Sequence, residues 1–183
     1  QAEDGIRDRD VTGVQTCALP ICYDTVALAG FLAALRAGAS EVRAPRYSHD
    51  TYDVVVGDEI VVRGADVVIV EGVNVLQPAL AGSAGEAFDL ALYVDAAEAD
   101  LERWYVERLF GLRDAAVADP DSFFGFLVGR TDDEVRDFAL RIWRGVNLVN
   151  LREHIAPTRP AAHLVLEKGS DHAVERVRVR RPA

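Results

Sequence analysis

The sequence predicts an α/β domain with a largely parallel sheet. Two apolar runs, DVVIV (Asp66 to Val70) and FDLALYVD (Phe88 to Asp95), read as strands buried on both faces. Long segments of helical period follow them, and two more apolar strands close the chain, HLVLEK (His163 to Lys168) and AVERVRVR (Ala173 to Arg180). Strands alternating with helices call for crossover connections and hence parallel pairing.

The remaining elements follow in order. QAEDGIRDRDVTGVQTCALPI (residues 1–21) has neither a helical nor a strand period. It resembles the in-frame translation of an indexed sequencing adapter, so it is expected to be a foreign or disordered segment, with the domain proper at 22–183. The absence of any methionine, Gln1 included, fits a chain that is not a complete natural product. Asp24 can cap a helix to about Ala37, where Gly38 stops it. APRYSHDTYD (Ala44 to Asp53) reads as a proline-punctuated loop, and YDVVVGDEIVV (Tyr52 to Val62) as a small hairpin turning at Gly57-Asp58-Glu59. Gly82, Ser83 and Gly85 mark another loop. An amphipathic helix is expected from Glu98 to about Val117, then a break at Asp119 to Ser122 and a short aromatic helix. Thr131 with Glu134 forms a capping box that opens a helix reaching about Ile155, where Pro157 and Pro160 end it.

Composition narrows the function. The chain has 183 residues, 50% hydrophobic and 27% charged, enough for one domain with a sizeable core. Net charge is −10, which argues against nucleic acid or an anionic membrane surface as partner. No apolar run approaches the roughly 20 residues a membrane span needs. Cys17 and Cys22 lie close together with no cysteine after them, so neither a disulfide framework nor a zinc site is indicated and a reducing cytoplasm is expected.

Glu71 directly follows the Asp66–Val70 run, and Gly72 follows it. Burying a carboxylate costs several kcal/mol or so unless it is paired or metal-bound. At the carboxyl end of a strand, where α/β folds bind ligands, the pattern suits either a salt-bridged structural glutamate or an acid that holds Mg²⁺ beside a nucleotide phosphate.

Longer stretches carry more. YSHDTYDVVVGDEIVVRGADVVIVEGVNVLQ (Tyr47 to Gln77), LYVDAAEADLERWYVERL (Leu92 to Leu109), DPDSFF (Asp119 to Phe124) and NLVNLREHIAPTRPAAHLVLEKGSDHAVERVRVR (Asn147 to Arg180) together resemble the bacterial type I pantothenate kinases. These are P-loop kinases of the uridine kinase and phosphoribulokinase group. The resemblance runs in order from Tyr23 onward and implies a three-layer P-loop kinase-like domain. It implies phosphorylation of pantothenate from MgATP, the first step toward coenzyme A, with coenzyme A as feedback inhibitor and a homodimer as assembly. Matched residue by residue, it implies that Tyr47, His49, Tyr105 and Asn147 contact pantothenate and that Phe123 and Phe124 line its pocket. It also implies that Arg108 acts on the transferring phosphoryl group, that Glu71 serves Mg²⁺ and that His172 lies near the adenine. Leu109 and Leu112 depart from the family's bulkier side chains, which bears on the tightness of feedback inhibition.

Two kinase parts are missing from the sequence. There is no GxxxxGK[ST] phosphate loop, since the single lysine is Lys168, and no TTDGF-like stretch carrying the family's general-base aspartate. The chain is therefore expected to be the C-terminal part of a pantothenate kinase, lacking the P-loop strand, inactive as written and aggregation-prone or partly folded. A related small-molecule kinase acting on uridine or ribulose phosphate, or a non-catalytic remnant, is the alternative.

Overall fold

The computed structural model describes residues 24–48, 53–78, 88–119 and 122–180. The expectations for residues 1–21, Cys22, His49 and the Gly82–Gly85 loop lie outside these residues. Two compact units divide the chain, one running through Ala91 and including His154–Ala161, the other Leu92–Glu153 with Ala162 onward.

In the first unit, helix α1 (Thr25–Arg36) is capped as the sequence requires, with Asp24 Oδ1 accepting from the Ala27 amide at 2.8 Å. Gly38 ends the segment in the left-handed region at φ 72°, where a Cβ would be strained. Leu32 of α1 is buried, as is Val42 of strand β1 (Glu41–Ser48). β1 pairs antiparallel with the long strand β2 (Asp53–Arg63).

That pairing corrects two expectations. The segment read as a proline-punctuated loop is largely strand, and the segment read as a hairpin is one continuous strand whose partner is β1. EVRAPRYS forms a strand despite Pro45, because each strand of a two-stranded sheet is an edge, where proline is tolerated with its nitrogen turned to solvent. The turn residues do act locally. Gly57 has φ 81°, and the ladder skips from Pro45↔Glu59 to Tyr47↔Val54, so the Gly57-Asp58 region is a bulge instead of a hairpin turn. Arg46 and Asp58 close it with a 2.7 Å ion pair.

A third correction concerns Asp66–Val70. These residues form no strand, and Val67 and Ile69 are 78% and 86% exposed. An apolar run becomes a buried strand only when neighbours take its backbone hydrogen bonds, and none does so among the described residues.

In the second unit, β3 (Leu92–Ala96) pairs parallel with β4 (Leu164–Lys168), which pairs antiparallel with β5 (Val174–Val179). The α/β class holds, with a mixed sheet. Helix α2 (Glu98–Ala116), a 3₁₀ turn at Phe123–Leu127 and helix α3 (Asp132–Ile142) fall where periodicity put them. The helix expected to run on to about Ile155 keeps α pitch only to Ile142: it turns π-helical at Trp143–Asn147, α at Leu148–Asn150 and π again at Leu151–Ile155, and a 3₁₀ stretch at Ala156–Ala161, within the first unit, follows. The core gathers Val106 and Leu109 of α2, Leu127, and Ala139 of α3, with Tyr105, Phe110, Leu112, Phe124 and Phe138 packed against them.

The sheet has two unlike faces. Tyr93 and Val165 are buried on one, which also carries Glu167 bound to Arg176 and Arg178. On the other, Leu92 and Val94 align through Leu164 and Leu166 with Val179 and Val177, and the four residues of the outer strands are exposed. A contiguous apolar face of this kind binds other apolar surface. The chain by itself is expected to enhance 1-anilinonaphthalene-8-sulfonate fluorescence and to sediment as a concentration-dependent oligomer. A dye-silent monomer would contradict this.

The α3 cap yields a second expectation. Thr131 Oγ1 accepts from the Glu134 amide at 3.3 Å, and Glu134 accepts from the Thr131 amide at 2.8 Å. Thr131→Ala should cost about 1 kcal/mol in urea unfolding. The Thr131 amide and hydroxyl hold the Glu134 carboxyl below the usual glutamate range. A carboxyl depressed on folding stabilises above its unfolded value, and that contribution disappears as pH falls through the folded value. The penalty of Thr131→Ala should therefore shrink at acidic pH.

Candidate functional site

Helix α2 carries the densest set of candidate residues. Its buried side is set by Val106, Leu109 and Ala116, which turns Arg108 outward to solvent. Tyr105, three residues earlier and half-buried, packs against the core, with its ring 5.7 Å from that of Trp143 at 36°.

The acids of α2 are paired with other arginines. Glu98 receives Arg152 through two hydrogen bonds, of 3.0 Å to Oε1 and 2.6 Å to Oε2, which hold its carboxyl below the usual range. Glu102 pairs with Arg144 at 3.4 Å, Glu107 with Arg103 at 3.3 Å, and Asp114 with Arg113 at 2.9 Å. Arg108 makes no ion pair with any described residue. In a chain of net charge −10, an exposed guanidinium left over from such a network is free for an anion from outside. A planar fork of donors suits a phosphoryl group.

The aromatic candidates sit nearby in sequence and packing. Phe123 and Phe124 meet edge to face with centroids 5.3 Å apart, and Phe124 packs against the Val106–Leu109–Leu127–Ala139 core. Asn147 is half-buried at the end of the first π-helical stretch. Such departures from α-helical pitch concentrate at functional sites, because they re-aim side chains.

His172 is exposed in the turn between β4 and β5, at φ 69°. Its ring stacks on Trp104 of α2, with centroids 3.9 Å apart and an interplanar angle of 21°. Lys168 Nζ lies 3.2 Å from its Nδ1. The sequence pointed to His172 and missed these two partners. The only available signals were a tryptophan just before the Tyr105 position and a solitary lysine.

Candidates in the first unit fare differently. Tyr47 stands in β1 with its backbone opposite Val54. Glu71 is exposed, because the strand that would have buried it is not formed, so the expected burial cost does not arise. Among the described residues no group of three or more His, Cys, Asp or Glu side chains could hold a metal ion. One accessible carboxylate still fits Mg²⁺, which is commonly held by one or two carboxylates with substrate phosphates and water. Three residues on, Asn74 is 1% exposed and neither polar atom of its amide has a hydrogen-bond partner among the described residues. Gln77, also buried, donates to the His154 carbonyl at 2.7 Å. Among the described residues no helix is long and apolar enough to cross a membrane.

Because Arg108 has no ion-pair partner among the described residues, Arg108→Ala should shift the thermal midpoint by no more than about 2 °C. A clear loss of stability would reveal an internal role for this guanidinium.

No family model matches the chain. Curated relatives do. The chain is 51% identical over 172 residues to a pantothenate kinase of Sorangium cellulosum, covering 92% of this chain and 56% of that protein. It is 47% identical over 169 residues to pantothenate kinases of Afipia carboxidovorans and Streptomyces avermitilis, covering 88% of this chain and 53% and 51% of theirs. The chain thus spans about half the length of the curated relatives it matches. Its matched residues belong to the pantothenate kinase family.

Proposed function

We propose that the whole protein represented by this chain transfers the γ-phosphoryl group of ATP to pantothenate, giving 4′-phosphopantothenate and ADP. The observation that carries the reading is identity of 45–51% to pantothenate kinases over about nine tenths of the chain. Residues 22–183 are then part of the kinase domain, and residues 1–21 are foreign to it.

In this reading the pantothenate hydroxyl attacks the γ-phosphorus. The new P–O bond forms as the bond to the β,γ-bridging oxygen breaks, and ADP departs with that electron pair. Arg108 offers its donors to the equatorial oxygens, where charge is spread during transfer. Glu71 would hold Mg²⁺, which neutralises phosphate charge when bound. Tyr47, His49, Tyr105 and Asn147 orient pantothenate by hydrogen bonding, Phe123 and Phe124 cover it, and His172 meets the adenine. The phosphate loop and the aspartate that takes the hydroxyl proton belong to the part of the family's length this chain does not span. Coenzyme A as feedback inhibitor, a homodimeric assembly and a cytoplasmic location complete the proposal.

The test uses the protein extended to the length of its relatives. It should phosphorylate pantothenate, and Arg108→Ala should lower kcat by about 10³-fold with little change in pantothenate KM. The 183-residue chain should show no turnover. Phosphorylation of uridine or ribulose phosphate in preference to pantothenate would move the protein to a sister kinase. Full activity in Arg108→Ala would remove that residue from the mechanism.

A further inference from the structure

His172 is held more elaborately than a surface histidine requires. It is the only non-glycine with positive φ among the described residues, a backbone state unfavourable for any side chain with a Cβ. A tight turn enforces it: the His172 amide donates to Gly169 O at 3.0 Å, and the Gly169 amide donates to Ala173 O at 2.9 Å. Helix α2 then grips the same turn. Arg103 and Trp104 Nε1 both donate to Ser170 O, at 2.7 and 3.3 Å. With the turn fixed, the indole lies flat under the imidazole. The Lys168 ammonium, which can only donate, sits at Nδ1 and 5.1 Å from the Trp104 ring centroid.

One face of the imidazole is therefore covered by the indole and one ring edge is occupied by the ammonium, yet the residue is exposed. What remains open is the opposite face and the Nε2 edge. An ammonium donating to Nδ1 matches the tautomer that carries its proton on Nε2. A rigid, flat π surface on an aromatic underlayer is suited to stacking a planar base. A histidine that served only to pack the turn would need neither the backing ring nor a fixed tautomer.

We propose that Trp104 and Lys168 are positioning residues for His172, holding its imidazole as a shelf on which the purine of the nucleotide stacks. This rests on the nucleotide-binding role given to His172 above. Trp104 and Lys168 act through the histidine and need not touch the nucleotide.

The test measures binding of a non-hydrolysable ATP analogue to the full-length protein by calorimetry, without pantothenate, beside ATP and pantothenate KM and kcat. Trp104→Ala should weaken analogue binding and raise ATP KM by about tenfold, with Trp104→Phe restoring most of the affinity. Pantothenate KM should not move. His172→Ala should lose a similar factor, and Trp104→Ala added to it should lose nothing more. Analogue binding within twofold of wild type in Trp104→Ala, or losses that multiply in the double variant, would overturn the proposal. If Trp104→Ala does not fold, Lys168→Gln carries the same cycle: about threefold weaker binding that vanishes in the His172→Ala background supports it, and unchanged affinity overturns it. A wild-type protein that binds the analogue yet leaves pantothenate unphosphorylated would sink the proposed function while leaving this inference to its own variants. Turnover of pantothenate with unaffected variants would do the reverse.

Discussion

The packing of helix α2 against the Phe123–Leu127 turn and helix α3 is the constraint from which the second unit's chemistry follows. Val106 and Leu109 bury one stripe of α2 against Leu127 and Ala139, each large side chain contributing about 1.5–3 kcal/mol on burial. That contact fixes the rotation of α2 about its axis. Once it is fixed, Arg108 must face water, Tyr105 must lie along the core margin, and Arg103 with Trp104 must meet the β4–β5 turn. A helix has only one such degree of freedom, so a small apolar cluster decides the direction of every polar group on it.

Electrostatics then refine what packing permits. The acids of α2 and its surroundings are taken up by Arg103, Arg113, Arg144 and Arg152, several through charge-assisted hydrogen bonds of 2.6–3.0 Å. Exposed pairs of this sort add little stability each. Arg108, exposed and without an ion pair among the described residues, stands apart from these pairs.

Most of the α/β pattern was legible in the chain. Asp24 and the Thr131–Glu134 box are local devices whose geometry depends on residues within four positions, so they form as read. The helices of 98–116 and 132–142 have their apolar spacing written into a single segment. The errors fell where the answer depended on a distant partner. Glu41–Ser48 and Asp53–Arg63 became one antiparallel pair because each satisfied the other's backbone, overriding Pro45 and Gly57-Asp58. Asp66–Val70 has the composition of a core strand and is none, since no described strand lies beside it. The candidate site divides in the same way. Arg108, Tyr105 and His172 could be named from family-like motifs, whereas the indole beneath His172 and the ammonium at its Nδ1 come from segments more than sixty residues apart in the first case.

The sequence by itself determined the helix starts and their caps, the family to which the matched residues belong and the types of side chain available for chemistry, because these rest on short-range periodicity and on identity along the chain. Only the tertiary structure decided that Arg108 makes no ion pair among the described residues, that Glu71 stands in solvent, and that Trp104 and Lys168 hold His172. Several of those outcomes, such as the Trp104–His172 stack, depend on contacts between residues distant in sequence, and no local pattern encodes which of several possible partners a charge or a ring will meet.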